Sequence, residues 1–125
     1  MDREQAIRLT QNLLRKMVEK EGSDLFLTSG FPPAIKVDGS IHKATDSPLT
    51  ADQSAMMVRS IMNDKQIKEF DSTKECNFAI APQGIGRFRV SAFIQQGMVG
   101  AVLRPLLPRF RNYTISNSLQ SSKTS

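Results

Sequence analysis

Cysteine and histidine are almost absent from this sequence, which contains one of each, Cys76 and His42. One thiol cannot form an internal disulfide framework, and this pair cannot complete a Cys/His zinc site, so we expect no metal. No apolar run approaches the roughly 18 residues that span a bilayer, and no basic-then-apolar leader opens the chain. These absences predict a protein of a reducing compartment that does not insert into a membrane, and therefore a cytoplasmic location.

Acidic side chains are missing from the second part of the chain. Residues 1–75 carry 11 basic and 12 acidic side chains, whereas residues 76–125 carry six basic side chains and no acidic one. A part of the chain that carries only positive charge usually indicates an anionic partner, such as phosphate, nucleic acid or an acidic protein surface. The alternative is that the basic tail is not an evolved protein surface.

The remaining composition is that of one soluble domain, with 125 residues, 39% apolar and 23% charged. Apolar spacing predicts a helix over 2–20 that Gly22 ends, and a short strand over 23–28. Asp38-Gly39 predicts a hairpin between strands 34–37 and 40–43. The pair Thr50 and Gln53 forms a capping box that opens a second helix, and Asp64 can cap a third. We expect the methionines of the helices to fill the core.

Alternating apolar residues after residue 75 predict a three-stranded antiparallel meander over 76–80, 87–94 and 98–104. Helices and strands are thus largely segregated, and the predicted class is α+β. Residues 105–125 contain two prolines and, among the last ten, five serines. This tail has no sustained period, so we place the domain at 1–104 and predict an irregular segment over 105–125.

The sequence shows no recognisable group of catalytic residues. Cys76 lies on the apolar face of a predicted strand, and His42 has no second ligand or triad partner nearby in sequence, so neither is expected to act chemically. Gly84-Ile85-Gly86 leads into a strand and does not match a P-loop, which needs two glycines around four residues, then Lys and Ser or Thr. No P-loop occurs in the 125 residues, so we expect no ATPase activity and no bound cofactor from this chain.

Three arginines are the candidate site residues. Arg87 and Arg89 are two apart on one predicted strand, so they project from the same face about 7 Å apart. Arg104 ends the neighbouring strand of the same sheet. Guanidinium groups are permanently charged forks that suit phosphate oxygens, so these residues are candidate phosphate contacts. An ordinary solvated sheet face is the alternative explanation.

Four ordered blocks of the sequence are distinctive: 22–39 (GSDLFLTSGFPPAIKVDG), 60–66 (SIMNDKQ), 75–80 (ECNFAI) and 84–93 (GIGRFRVSAF). These blocks, within a stretch from about Glu4 to Arg104, resemble the type IV pilus retraction ATPases. Residue Phe26 and the Cys-Asn-Phe-Ala segment are more similar to the PilU-like branch than to the PilT-like branch.

The resemblance implies a PAS-like N-terminal domain, with an antiparallel sheet and helices packed on one side. In the family this domain belongs to a hexameric twitching-motility motor that uses ATP and Mg²⁺, and it packs against a RecA-like ATPase domain. The implied partners are therefore motor subunits, at the cytoplasmic face of the inner membrane. Family arginines can reach nucleotide phosphates, which again indicates Arg87, Arg89 and Arg104. The Walker motifs belong to the second domain and do not occur here.

Two other functions stay open on the residues alone. The basic half could make a non-enzymatic anion- or nucleic-acid-binding module, although such modules usually add stacking aromatics to a basic groove. Most phenylalanines of this chain fall on predicted core faces, so we do not expect nucleic acid as a partner. The chain could also be a truncated gene product without a function of its own.

We hypothesise a shifted reading frame, which would explain the acid-free tail without any ligand. With synonymous codons chosen for 109–125, translation from the third base of the Arg109 codon gives IPKLHDLKLPPVLKDI. Family members continue after the last strand with a segment resembling IPTIDDLKLPPVLKDI. We therefore predict a frameshift between about Pro105 and Arg109.

The nucleotide sequence of the gene tests this prediction. Read in the shifted frame beyond codon 104, it should encode a P-loop downstream. A stop codon immediately after the shift would show that the frameshift hypothesis is wrong.

Overall fold

The computed structural model describes residues 2–106, which form three helices and six strands. The helices are α1 (Arg3–Glu19), α2 (Ala51–Ser60) and α3 (Asp64–Thr73). The strands are β1 (Asp24–Thr28), β2 (Ala34–Val37), β3 (Ser40–Lys43), β4 (Glu75–Ile80), β5 (Phe88–Gln95) and β6 (Met98–Pro105). The predicted tail lies outside the described residues, apart from its first two.

One antiparallel sheet holds all six strands, in the order β3-β2-β1-β6-β5-β4. The predicted α+β class and the antiparallel sheet with helices on one side are confirmed. The meander β4-β5-β6 is confirmed as well, while the insertion of β6 between β1 and β5 brings the two ends of the domain together. None of the helices within residues 2–106 has the length and apolarity needed to cross a bilayer.

Helix α1 begins with a reciprocal cap between Asp2 and Gln5. Its end differs from the prediction, because the left-handed residue after the helix is Glu21 (φ 56°) and not Gly22. Glycine is needed at position 22 because the neighbouring residues leave no room for a side chain. A Cβ at that position would lie 2.5 Å from Cγ2 of Ile35, so only glycine lets the chain pass from α1 into β1 at this distance.

The second and third helices also begin with reciprocal caps. Thr50 and Gln53 form the predicted capping box of α2. The predicted cap of α3 is wrong by one residue, because Asn63 accepts from the backbone of Gln66 and Asp64 is already helical. An amide at the cap leaves the Asp64 carboxylate in the first turn, where it complements the helix dipole.

The core lies between the helices and one face of the sheet. Phe88, Val90 and Ala92 of β5 are buried, as their alternation predicts. Cys76 is buried too, which confirms its interpretation as a small core residue. The expected core methionines are confirmed for Met17, Met57 and Met62, the last just after α2, which are at most 3% exposed. Met56 of α2 is only half-buried against the core.

Val90→Asp should abolish folding of the domain. Val90 is 0% exposed, and an unpaired carboxylate there costs several kcal/mol, a large share of the stability of a small domain. Circular dichroism melts should show no cooperative transition for this variant.

The neighbouring change Ser91→Asp is the matched control, because Ser91 is exposed on the opposite face of the same strand. Its free energy of unfolding should lie within about 0.5 kcal/mol of that of the unmodified chain. Equal melts for Val90→Asp and the unmodified chain would contradict the strand phase.

Candidate functional site

The face of the sheet opposite the helices carries a row of charged residues across four strands. Strand register places Lys36 beside Asp24, and Arg89 directly across from Arg104. Between these pairs, Arg104 Nε donates to Asp24 Oδ1 at 2.6 Å. The row therefore reads Lys36, Asp24, Arg104, Arg89, with one carboxylate among three cations.

Asp24 holds Arg104 in place on this face. The Asp24 side chain is 13% exposed, whereas that of Arg104 is 67% exposed. Burial alone would raise the pKa of Asp24, but hydrogen bonds from Ser23 and Arg104, with the charges of Arg104 and Lys36, outweigh it and lower the pKa. Asp24 thus stays ionised and fixes the base of the guanidinium, while the outer part of that group faces solvent.

Arg89 adds a second, unneutralised charge next to Arg104. The two residues are direct cross-strand partners, so their Cβ atoms lie about 5 Å apart and their charges repel. Arg89 forms no ion pair with any residue of the described part of the chain. An anion placed between the two guanidiniums would remove this repulsion.

Arg87 lies immediately before β5, where the chain already runs beside β6. Its backbone carbonyl accepts from the N–H of Leu106 at 2.9 Å, which continues the ladder by one residue. Strand alternation directs its side chain to the same face as Arg89. Arg87, Arg89 and Arg104, here called the arginine corner, therefore meet where β5 begins and β6 ends.

Sequence reasoning identified the three arginines but missed Asp24. The ion pair joins residues 80 positions apart in the chain. It depends on the pairing of β1 with β6, for which the sequence offers no local signal. The acidic residue at the start of a predicted strand was visible, but its partner was not.

A partly exposed apolar area lies on the same face, beginning beside the charged row and extending toward the other end of β5 and β6. We call it the outer apolar patch and define it by Phe26, Phe31, Phe93, Met98 and Val102. Phe31 is 64% exposed and Met98 is 49% exposed, whereas Phe26, Phe93 and Val102 are half-buried. Part of the patch lines a shallow depression of about 220 Å³. Exposed apolar groups this close together are typical of a surface that contacts another protein.

Other candidate groups do not form a site. Burial, and then the charge of Glu69, raise the pKa of the Cys76 thiol, so the thiolate needed for nucleophilic attack is disfavoured. His42 is exposed on the edge strand β3. Residues 2–106 contain no group of three or more His, Cys, Asp or Glu side chains placed to hold a metal ion.

The fold is shared with two ATPases of known structure. It superposes on the crystal structure of the pilus retraction motor PilT, solved with bound ADP, with a TM-score of 0.72 and 34% identity over 79% of this chain and 29% of that one. The ATPase DotB of Legionella pneumophila shares the fold, with a TM-score of 0.68 at 20% identity. The domain therefore has the fold of one part of each of these two ATPases.

Sequence comparison defines the relationship more closely. No family model matches the sequence. The type IV pilus ATPase PilU of Pseudomonas aeruginosa is 53% identical over 94 residues, and the retraction ATPase PilT of the same organism is 40% identical. A twitching motility protein of Neisseria gonorrhoeae is 32% identical over 74 residues.

This domain is therefore homologous to the N-terminal domain of PilT/PilU-like type IV pilus ATPases, and its identity to PilU exceeds its identity to PilT. The match covers 75% of the chain but only 25% of PilU and 27% of PilT. The resemblance of the residue blocks to pilus retraction ATPases is confirmed.

The Asp24–Arg104 pair should make a pH-dependent contribution to stability. The pKa of Asp24 is lowered in the folded chain, so the contribution is present above the unfolded pKa and is lost as the pH falls through the folded one. Asp24→Asn should lower the free energy of unfolding by roughly 0.5–1 kcal/mol near neutral pH, since Arg104 is largely exposed. The difference should shrink in acid.

Thermal melts at a series of pH values measure this difference. Asp46→Asn is the control, because Asp46 lies in an exposed loop and forms no hydrogen bond with the described residues through its carboxylate. A stability difference for Asp24→Asn that stays constant down to strongly acidic pH would contradict the assigned ion pair.

Proposed function

We propose that this domain serves a pilus retraction motor by presenting the arginine corner to the phosphates of a nucleotide held by an ATPase domain. The observation that carries the proposal is the convergence of Arg87, Arg89 and Arg104 on one helix-free face. The homology to PilU and PilT supplies the context.

The charge balance of this face supports an anionic ligand. Arg87, Arg89, Arg104 and Lys36 provide four positive charges, and Asp24 is the one carboxylate in the row. Guanidinium groups bind phosphate oxygens through two parallel hydrogen bonds, so several of them on one face can together contact a polyphosphate chain. The spacing of about 7 Å between alternate residues of a strand allows adjacent phosphates to be contacted together.

The phosphates must be held by another domain. The 125 residues contain no P-loop, so the chain lacks the backbone cradle that binds a triphosphate in this class of enzyme. We infer that the chain does not hydrolyse ATP and that its arginines complete a site on an ATPase subunit.

The outer apolar patch offers the contact surface for such a subunit. It lies on the same face as the arginine corner, so one docking event would bury the patch and place the guanidiniums at the nucleotide. The proposed partners are motor subunits in a hexameric ring at the cytoplasmic face of the inner membrane, as the family resemblance implies.

Binding to the ATPase domain of a PilU-type motor, prepared without its own N-terminal domain, tests the proposal. Fluorescence anisotropy of the labelled 125-residue chain should show tighter binding with a non-hydrolysable ATP analogue than without nucleotide. Arg89→Gln should remove most of this gain, about tenfold or more in Kd, because charge-assisted hydrogen bonds are worth about 1.5–3 kcal/mol.

Arg8→Gln is the matched control, since Arg8 is an exposed arginine of α1 whose one ion pair within the described residues is with Glu4. It should leave the effect of the nucleotide unchanged. Binding that ignores nucleotide, or that Arg8→Gln weakens as much as Arg89→Gln, would overturn the proposal. Steeply salt-dependent binding to DNA, without binding to the ATPase domain, would favour a nucleic-acid module instead.

A further inference from the structure

Strand β4 is the open edge of the sheet on the side of the meander. It pairs with β5 on one side, and no other strand within residues 2–106 pairs with it. Immediately before β4, the N–H of Ile94 donates to the carbonyl of Lys74 at 2.9 Å, which fixes the phase of the ladder. By alternation, the backbone groups of Glu75, Asn77 and Ala79 point away from β5.

Two of these three residues have free backbone groups. The carbonyl of Glu75 accepts from the Thr73 hydroxyl at 2.8 Å, so the edge is closed at that end. The N–H and C=O groups of Asn77 and Ala79 have no hydrogen-bond partner in the described part of the chain. They lie two residues apart, which is the repeat of one antiparallel ladder unit.

The edge lacks the usual protection against pairing. Natural edge strands commonly carry lysine or proline, or are very short. The opposite edge, β3, has four residues and includes Lys43, whereas β4 has six residues, ECNFAI, without lysine, arginine or proline. On its helix-facing side, Phe78 and Ile80 are only half-buried.

We propose that β4 pairs antiparallel with β4 of a second copy of this chain, about a two-fold axis at Phe78. Asn77 then lies opposite the partner's Ala79, and the same pair recurs on the other side of the axis. Each pair exchanges two backbone hydrogen bonds, so all the free groups of Asn77 and Ala79 are satisfied. The two sheets join into one.

The side chains are self-complementary in this register. Phe78 meets its own copy in the close, non-hydrogen-bonded pair, where aromatic rings pack favourably. Cys76 lies beside the partner's Ile80. This contact covers part of the half-buried Ile80 side chain. Helix α3 connects to β4 at Glu75, so the two α3–β4 connections lie at opposite ends of the paired strands. The half-buried Phe78 lies at the centre of the pair.

Charge complementarity selects the same register. Continuing the β4–β5 register by one residue beyond Ile80 sets Ala81 beside Arg87. In the proposed pair, Glu75 is opposite the partner's Ala81, so its carboxylate can reach over a methyl group to the partner's Arg87, about two strand spacings away. A parallel arrangement would instead bring the two Glu75 carboxylates together.

The test uses the 125-residue chain and the variant Ala79→Pro. Proline removes an N–H that β5 does not use, and proline is tolerated on edge strands, so the fold should be retained. Sedimentation velocity should show a reversible dimer of the unmodified chain, and Ala79→Pro should weaken it about tenfold or more, since two hydrogen bonds are lost by symmetry. Hydrogen exchange at Asn77 and Ala79 should slow as the concentration rises.

Ile41→Pro is the matched control, because the alternation of the β2–β3 hairpin turns its N–H outward on the other edge. It should leave the dimer unchanged. Glu75→Arg should weaken the dimer, and adding Arg87→Glu should restore it. A chain that stays monomeric at all concentrations would overturn the proposal, as would a dimer insensitive to Ala79→Pro or an assembly that Ile41→Pro also dissociates.

Discussion

The antiparallel pairing of β5 with β6 is the constraint on which the rest of the structure depends. Each strand is eight residues long, and they pair throughout their length. Alternation along this one ladder sends Val90 and Leu103 into the core and Arg89 and Arg104 to the opposite face. A register slip by one residue would expose the apolar side chains and bury the guanidiniums, so stability of the core enforces the geometry of the arginine corner.

Local features of the sequence predicted most of the secondary structure. Strict apolar alternation after residue 75 gave the meander, the Asp38-Gly39 turn gave the hairpin, and the pair Thr50 and Gln53 located the start of α2. The errors lie at helix ends, where neighbouring residues compete for one role. Asn63 and Asp64 can both cap a helix, and in the structure the cap is Asn63. At Gly22 the reason for glycine is a close approach to Ile35, a distant residue in the chain.

The candidate site was predictable only in part, for a related reason. Charge and strand phase identify Arg87, Arg89 and Arg104, because these properties can be read within a short window. The Asp24 contact depends on how β1 lies against β6, which no local pattern encodes. The resemblance to pilus motors supplied the fold and the family, while the ion pair, the outer apolar patch and the open edge of β4 required coordinates.

The strand order has a consequence for synthesis on the ribosome. The two strands at the centre of the sheet, β1 and β6, are the first and the last strands within residues 2–106. While the intervening residues emerge, β1 has only the short β2–β3 hairpin beside it, and the meander has no neighbour. The sheet can therefore be completed only after residue 105 has left the exit tunnel. Since contacts between distant parts of a chain slow folding, the apolar segments of a nascent chain must stay protected until its last strand arrives.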